Sequence, residues 1–232
     1  MRRVVVTGTN RGLGLEFSSQ LLARGDCVVA ACRDPGHADA LNALARAHPD
    51  RLHLLAVEMA DPHSVAMLAQ ETARLFDGLD LLINNAGKLV RGERFGEVAA
   101  DALTSSLQVN SIGPFLLTQA LAPLLAKGEH AIVANISSQL GSIARANSFY
   151  TPSYAISKAA LNMATALLAH GLKDSGVCVV AFHPGWVKTD MGGDGATLQK
   201  ATSASGILGV IDALKPEDTG TFVDYQNQSL PW

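Results

Sequence analysis

Short runs of apolar, often β-branched residues recur along the chain, separated by longer segments in which apolar positions return every three or four residues. The runs Arg3 to Thr7, Cys27 to Cys32, Leu52 to Val57, Leu79 to Ile83, Ala131 to Ile136 and Val177 to Phe182 alternate little with polar residues. A strand with one wet face would alternate, so these runs predict strands covered on both faces. The intervening segments read as helices: one ending near Ala23, then Ala38 to Ala47, Pro62 to Phe76, Glu97 to Lys127, Pro152 to Leu172 and Ser203 to Leu214, before a last short strand over Thr221 to Asp224. Asp61-Pro62 is a strong helix start, an N-cap acceptor followed by a proline whose missing N–H is not needed at the first helical position. Within Glu97 to Lys127, Asn110 and Gly113-Pro114 interrupt the pattern and predict a kink that frees backbone groups for a site. The alternation of strand and helix predicts an α/β fold, a doubly wound parallel sheet of about seven strands with helices on both faces. No repeat, low-complexity tract or linker divides the chain, so residues 1–232 read as a single domain.

Composition agrees with a covered sheet. Hydrophobic residues make up 48% and charged residues 17% of the chain, the latter below the roughly 25% usual in globular proteins. A formal net charge of -3 leaves no basic footprint. Nucleic acid and anionic membrane are therefore not expected partners, and small soluble molecules are. Cys27, Cys32 and Cys178 are odd in number, lack metal-ligand spacing and fall in the predicted strands. They read as buried thiols of a reducing compartment, with no metal site. Arg2 and Arg3 precede only three valines before Thr7, too short an apolar run for a secretory signal, so a cytoplasmic location is expected.

The first predicted strand runs into Gly8-Thr9-Asn10-Arg11-Gly12-Leu13-Gly14 and then a helix, the order that a Rossmann dinucleotide site requires. Gly8 permits a tight turn, Gly12 lets backbone approach a pyrophosphate and Gly14 lets helix and strand pack closely. The spacing differs from the common Gly-x-Gly-x-x-Gly, and a structural turn remains the local alternative. At the end of the second strand an acid selects NAD through the ribose 2'-hydroxyl and an arginine accommodates the 2'-phosphate of NADP. Cys32 stands at the acid's place, Arg33 follows it, and Arg11 lies in the glycine loop, so NADP(H) is expected over NAD(H). Asp34 argues the other way unless it serves as an N-cap or turn residue. Glu58, past the third strand, is expected near the adenine. Asn84-Asn85-Ala86-Gly87 suits a cofactor wall or a turn equally. His183, at the end of the sixth strand, reads as structural.

Ser153-Tyr154-Ala155-Ile156-Ser157-Lys158 carries the candidate chemistry. Tyr154 and Lys158 are four residues apart in a predicted helix and share a face. A cation beside a phenol favours the phenolate, and at about 4 Å and an effective dielectric near 20 the interaction is worth about 4 kcal/mol, or roughly three pKa units. That would make Tyr154 a usable general acid at neutral pH. Taken alone, the pair reads first as an ordinary surface pair, and the rest of the chain decides.

Taken together, Thr7-Gly8-x-x-x-Gly12-x-Gly14, Asn84-Asn85-Ala86-Gly87, Asn110, Ser138, Tyr154-x-x-x-Lys158 and Pro184-Gly185 resemble, in order, the motifs of the short-chain dehydrogenases/reductases over nearly the whole chain. Arg11-Gly12-Leu13-Gly14, Gly141-Ser142, the stretch from His183 to Gly193 and Pro231-Trp232 are most similar to the C-factor and sniffer-type carbonyl reductase branch. The resemblance implies a catalytic tetrad of Asn110, Ser138, Tyr154 and Lys158. In it Tyr154 exchanges a proton with a carbonyl or alcohol substrate, Ser138 holds the substrate oxygen, Lys158 binds the nicotinamide ribose and lowers the Tyr154 pKa, and Asn110 anchors a water that leads protons to Lys158. It implies cofactor contacts from Gly8, Asn10, Arg11, Gly12, Leu13, Gly14, Arg33, Glu58, Met59, Asn84, Ala86, Gly87, Tyr154, Lys158, Pro184, Gly185, Val187 and Thr189. It is also compatible with a homodimer or homotetramer paired through the helices of Asn110 and Tyr154, and with a monomer.

Two departures stand out. Glu58 replaces an aspartate common in relatives, and the interval from Ser138 to Tyr154 is a few residues longer than in much of the family. The loop from Leu140 to Thr151 is therefore expected to be the most individual substrate wall, with Ile143, Phe149, Trp186 and Met191 as an apolar lining for small ketones or aldehydes. The alternative reading, drawn from the C-factor resemblance, is a signalling protein that binds NAD(P) with little turnover. An epimerase or dehydratase would need a larger C-terminal substrate domain than the chain holds.

Overall fold

The computed structural model describes residues 1–232. Seven parallel strands form one sheet in the order β3-β2-β1-β4-β5-β6-β7. They are β1 (Arg3–Thr7), β2 (Cys27–Cys32), β3 (Leu52–Ala56), β4 (Leu81–Asn84), β5 (Ile132–Ile136), β6 (Cys178–His183) and β7 (Phe222–Asp224). Helices α1 (Gly12–Ala23), α2 (Asp39–Ala47), α3 (Pro62–Leu75), α4 (Ala100–Leu107), α5 (Gly113–Leu125), α6 (Pro152–Gly171) and α7 (Lys200–Ala213) complete the doubly wound arrangement. The chain reverses winding direction between β1 and β4, so the crevice at the carboxyl ends of these strands is the natural ligand position.

The pleat sorts the core into two layers. Val4 and Val6 join one apolar cluster with Phe17 and Leu21 of α1, Leu41 of α2 and Ile207 of α7. Val5, between them, joins the other with Leu68 of α3, Leu117 of α5 and Leu168 of α6. Each fully buried side chain of this kind contributes roughly 1.5–3 kcal/mol, which accounts for the near absence of polar residues from the strand interiors. Register follows from the same constraint: Val4, Val5 and Val6 pair with Leu81, Leu82 and Ile83, and a slip by one residue would exchange the two faces.

The expected elements are present, with ends moved by a few residues. Two readings change. Cys27 is only half-buried, because it opens β2 at the edge of the core beside the Met1 sulfur. The long helical run divides into α4, a π-helical turn over Gln108–Ile112 and α5. Pro114 supplies no N–H to the Asn110 carbonyl four residues earlier, and its ring would crowd that carbonyl in a regular helix. The widened turn relieves the clash and places the Asn110 side chain in the interior.

Candidate active site

The glycine loop closes the crevice at β1. Gly8 has φ +71 and a Cβ there would lie 2.8 Å from the Ala86 Cα, while a Cβ on Gly14 would meet the Gly8 carbonyl oxygen at 2.1 Å. No larger residue fits either place. The start of α1 has no side-chain cap, so its first N–H groups stay available to an anion such as a pyrophosphate. Leu13 packs its side chain on the core, and Asn10 and Arg11 are exposed.

The loop is braced by Asn85, the one member of Asn84-Asn85-Ala86-Gly87 not expected to touch the cofactor. Asn85 donates from Nδ2 to the carbonyls of Thr7 (2.8 Å) and Gly8 (3.2 Å), and the Thr7 hydroxyl accepts from the N–H groups of Asn85 and Ala86. Asn84, expected on the cofactor wall, turns its side chain inward instead: it is 1% exposed and donates to Asn135 Oδ1 (2.8 Å) and Thr118 Oγ1 (3.3 Å). Neighbours on a strand point to opposite faces, which assigns the two asparagines different work. Ala86 and Gly87 continue along the crevice, and an added Cβ on Gly87 would lie 3.5 Å from Asn110 Oδ1.

At the ends of β2 and β3, Arg33 is exposed. Asp34 accepts from the N–H of His37 and faces its Nδ1 at 2.6 Å, so it acts as the turn residue that its position before a proline allowed. Arg11 forms an unforeseen ion pair of 2.5 Å with Asp190, spanning from the glycine loop to the segment after β6. Glu58 folds back to accept from the Ala60 N–H at 3.0 Å. Met59 is buried against Gly113, beneath the helix kink.

Tyr154 and Lys158 lie on one face of α6. The Lys158 ammonium nitrogen is 5.6 Å from the centre of the Tyr154 ring and donates to the Ile136 carbonyl at 2.7 Å, at the end of β5. Lys158 is 3% exposed, and burial lowers its pKa to about 7. Burial also pushes the half-buried Tyr154 phenol up to about 12, while the Ser138 side chain pulls it the other way. The expected lowering of the phenol pKa by Lys158 is not what sets it: burial, which opposes charging either group, dominates, and the lowering partner is Ser138. Ser138 also accepts from the Leu140 N–H at 3.1 Å.

Asn110 is fully buried. Its Oδ1 accepts from the Lys88 N–H at 2.7 Å, and its Nδ2 donates to the Lys88 carbonyl and to Ser157 Oγ, both at 2.8 Å. Ser157 donates in turn to the Tyr154 carbonyl at 2.7 Å. The side chain is therefore fully engaged in tying the kink to the loop after β4 and to the turn that carries Tyr154. The main-chain carbonyl of Asn110 is the one to which Pro114 offers no N–H.

After β6, Pro184, Gly185, Val187 and Thr189 lead to the facing wall. Thr189 approaches the glycine loop: its methyl group would lie 3.6 Å from a Cβ on Gly12, and its hydroxyl accepts from the Gly192 N–H at 3.1 Å. Val187 is buried, whereas Trp186, Met191, Ile143 and Phe149 are exposed. His183 has a buried Nδ1 without a partner. Burial, opposed by Asp224 and assisted by Arg145, lowers its pKa to about 4, so the ring is neutral at physiological pH.

Comparison with known proteins agrees with this geometry. The short chain dehydrogenase family model matches residues 2–198. Among solved structures, the NADPH-bound carbonyl reductase from chicken fatty liver is 37% identical with a TM-score of 0.94, covering 100% of this chain and 99% of that one. The carbonyl reductase Sniffer of D. melanogaster is 34% identical with a TM-score of 0.95, covering 100% of both chains. The C-signal protein of Myxococcus xanthus is 42% identical over 154 residues, 66% of this chain and 93% of its own. The carboxyl-edge crevice, the braced glycine loop and the Tyr154–Lys158 face are thus set in a chain that belongs to the short-chain dehydrogenase/reductase family.

Proposed function

We propose that this protein is an NADPH-dependent reductase of small apolar aldehydes or ketones, with Tyr154 as general acid. The observation that carries the reading is the convergence of Tyr154, Ser138 and Lys158 at the carboxyl ends of β5 and the start of α6, within a crevice that holds the uncapped N-terminus of α1. These features fit a dinucleotide: Gly8 and Gly14 hold the loop tight against Asn85 and Ala86, while at Gly12 an added Cβ would meet only the Thr189 side chain, at 3.6 Å, beside the uncapped start of α1. When bound, the nicotinamide supplies or accepts the hydride.

The rest of the chemistry falls to the chain. A phenol with a pKa near 12 keeps its proton through neutral pH, so Tyr154 holds the proton that carbonyl reduction consumes. Ser138 holds the substrate oxygen beside it and strengthens its bond as negative charge develops. Lys158, poised between charged and neutral near pH 7, binds the nicotinamide ribose and returns a proton towards Tyr154. The main-chain carbonyl of Asn110 orients the water that refills Lys158. Exposed Ile143, Phe149, Trp186 and Met191 suit an apolar substrate. Ile156, Met163 and Leu167 form an exposed stripe on α6, which supports a homo-oligomer built on that helix.

Absorbance assays of NADPH and NADH oxidation with aldehydes, ketones, diketones and quinones test the proposal. NADPH consumption with an apolar carbonyl compound is expected, and tight NADPH binding without consumption would move the protein to a signalling role, the reading that its similarity to C-signal favours. Cofactor choice has its own test. Arg33, exposed and unpaired, and Arg11, already facing Asp190, are the cations offered to a 2'-phosphate. Replacing both with alanine is expected to weaken NADPH binding roughly 10- to 100-fold in fluorescence titrations, the scale of one or two charge-assisted hydrogen bonds, while NADH changes little. Arg33→Ala alone should account for the larger share. Equal losses for the two cofactors would remove both residues from phosphate recognition.

A further inference from the structure

The helix that carries Tyr154 and Lys158 begins badly by its own means. Its N-cap residue, Thr151, provides no side-chain cap and sits at φ +41, ψ 57, a left-handed conformation that strains a β-branched residue. The Thr151 hydroxyl is buried without a partner. Pro152 follows, so the first N–H that needs an acceptor is that of Ser153, the residue next to Tyr154.

That acceptor comes from a distant loop. Glu93, in the segment after β4, accepts from the Ser153 N–H through Oε2 at 3.2 Å and from the Ser153 hydroxyl through Oε1. Ser153 is fully buried. A carboxylate at this place meets both the unpaired donors and the positive end of a twenty-residue helix. The residues flanking Glu93 at alternate positions fasten the same segment elsewhere around the crevice. Arg91 donates to the Met191 carbonyl at 2.6 Å, and Phe95 meets Phe149 edge-on at 5.5 Å between ring centres. Glu93 is therefore the middle fastening of a strap that touches both walls of the substrate mouth.

We infer that Glu93 is a positioning residue for Tyr154, holding the first turn of α6 through Ser153 so that the phenol stays in line with Ser138. The inference rests on the reading of Tyr154 as general acid. The hydrogen bonds of Glu93 go to Ser153 and not to Tyr154, so its effect passes through one buried serine. A displacement of the phenol by a fraction of an ångström is enough to reduce turnover without altering the apolar walls that bind substrate.

The test pairs Glu93→Ala, Glu93→Gln and Ser153→Ala with the double variant Glu93→Ala/Ser153→Ala. Expected is a fall in kcat of roughly 10- to 50-fold for Glu93→Ala, a smaller fall for Glu93→Gln, and changes below about threefold in KM for the carbonyl substrate and in NADPH affinity. The double variant should be no worse than the poorer single one, because both remove the same contact. Hydrogen exchange of the Ser153 and Tyr154 amides, read on the protein alone, should quicken at least about tenfold in both Glu93 variants. This second readout does not need turnover, so a protein that proves inactive in every carbonyl assay still reports on the anchor. Unchanged exchange, or faster exchange with unaltered kcat, would overturn the assignment. So would additive losses in the double variant, or a loss shared equally between kcat and NADPH affinity, which would mark a general loosening. If Glu93→Ala does not fold, Glu93→Gln and Ser153→Ala carry the same comparison.

Discussion

Tyr154→Phe is expected to cut the kcat of carbonyl reduction by at least about 10³-fold while NADPH affinity stays within roughly threefold of wild type. Only one oxygen is removed, and the ring continues to fill its place beside Lys158. The lost atom is the one whose proton is held to about pH 12 by burial, so no neighbour replaces it at neutral pH. Ser138 has an ordinary hydroxyl, and His183 is already neutral with a pKa near 4. Stopped-flow or steady-state kinetics with fluorescence titration of NADPH separates the two quantities. Retained turnover would take Tyr154 out of the proton transfer.

Lys158→Met should produce an opposite pair of effects, lost turnover and a more stable protein. Burial lowers the Lys158 pKa from 10.5 to about 7. A depression of that size corresponds to roughly 5 kcal/mol against folding when the amine is charged in the unfolded chain. The cost stands in full below about pH 7, fades as the pH rises towards 10.5 and is absent beyond it, because there both forms of the chain are neutral. Methionine has a similar length and no charge, but it leaves the Ile136 carbonyl without its donor, which returns about 1–2 kcal/mol of the gain. The net is about 3 kcal/mol, or roughly 6–12 °C in Tm for a chain of this size. Calorimetry on the protein alone at about pH 6 and about pH 9.5 checks the sign: the gain should be larger at the lower pH. A fall in Tm at both pH values would show that the Ile136 hydrogen bond outweighs the burial of the charge.

What could be read from residues alone follows from the range of the interactions concerned. Strands and helices declare themselves in short windows, so β1, β2 and α1 lay where their apolar patterns put them. The Tyr154–Lys158 face is a property of four residues of helix. Pro114 announced the break at Asn110 through a rule of local sterics. Other features depend on which parts of the chain meet. Arg11 and Asp190 are 179 positions apart, and Glu93 and Ser153 are 60 apart, with no local pattern to connect them. Asn84 and Asn85 are identical neighbours whose separate duties depend on the phase of the pleat where β4 ends. The pKa of Tyr154 went against expectation for a similar reason: the cation was legible in the spacing, but the depth at which both groups sit was not.

Three consecutive residues of β5 and the turn after it are each bonded to α6. Asn135 Nδ2 donates to Thr165 Oγ1 at 2.9 Å, the Ile136 carbonyl accepts from Lys158, and Ser137 Oγ donates to Asn162 Oδ1 at 2.6 Å. Leucines alone would let a helix slide along a sheet by part of a turn at little cost, since one apolar contact replaces another. Polar pairs buried at three heights do not interchange, and a shift that misaligns one strands all three in a medium without water. They work as the teeth of an index, giving α6 one permitted setting and fixing the height of the Tyr154 oxygen above the sheet. Substrate range can therefore drift through the loops around the mouth without retuning the chemistry beneath them.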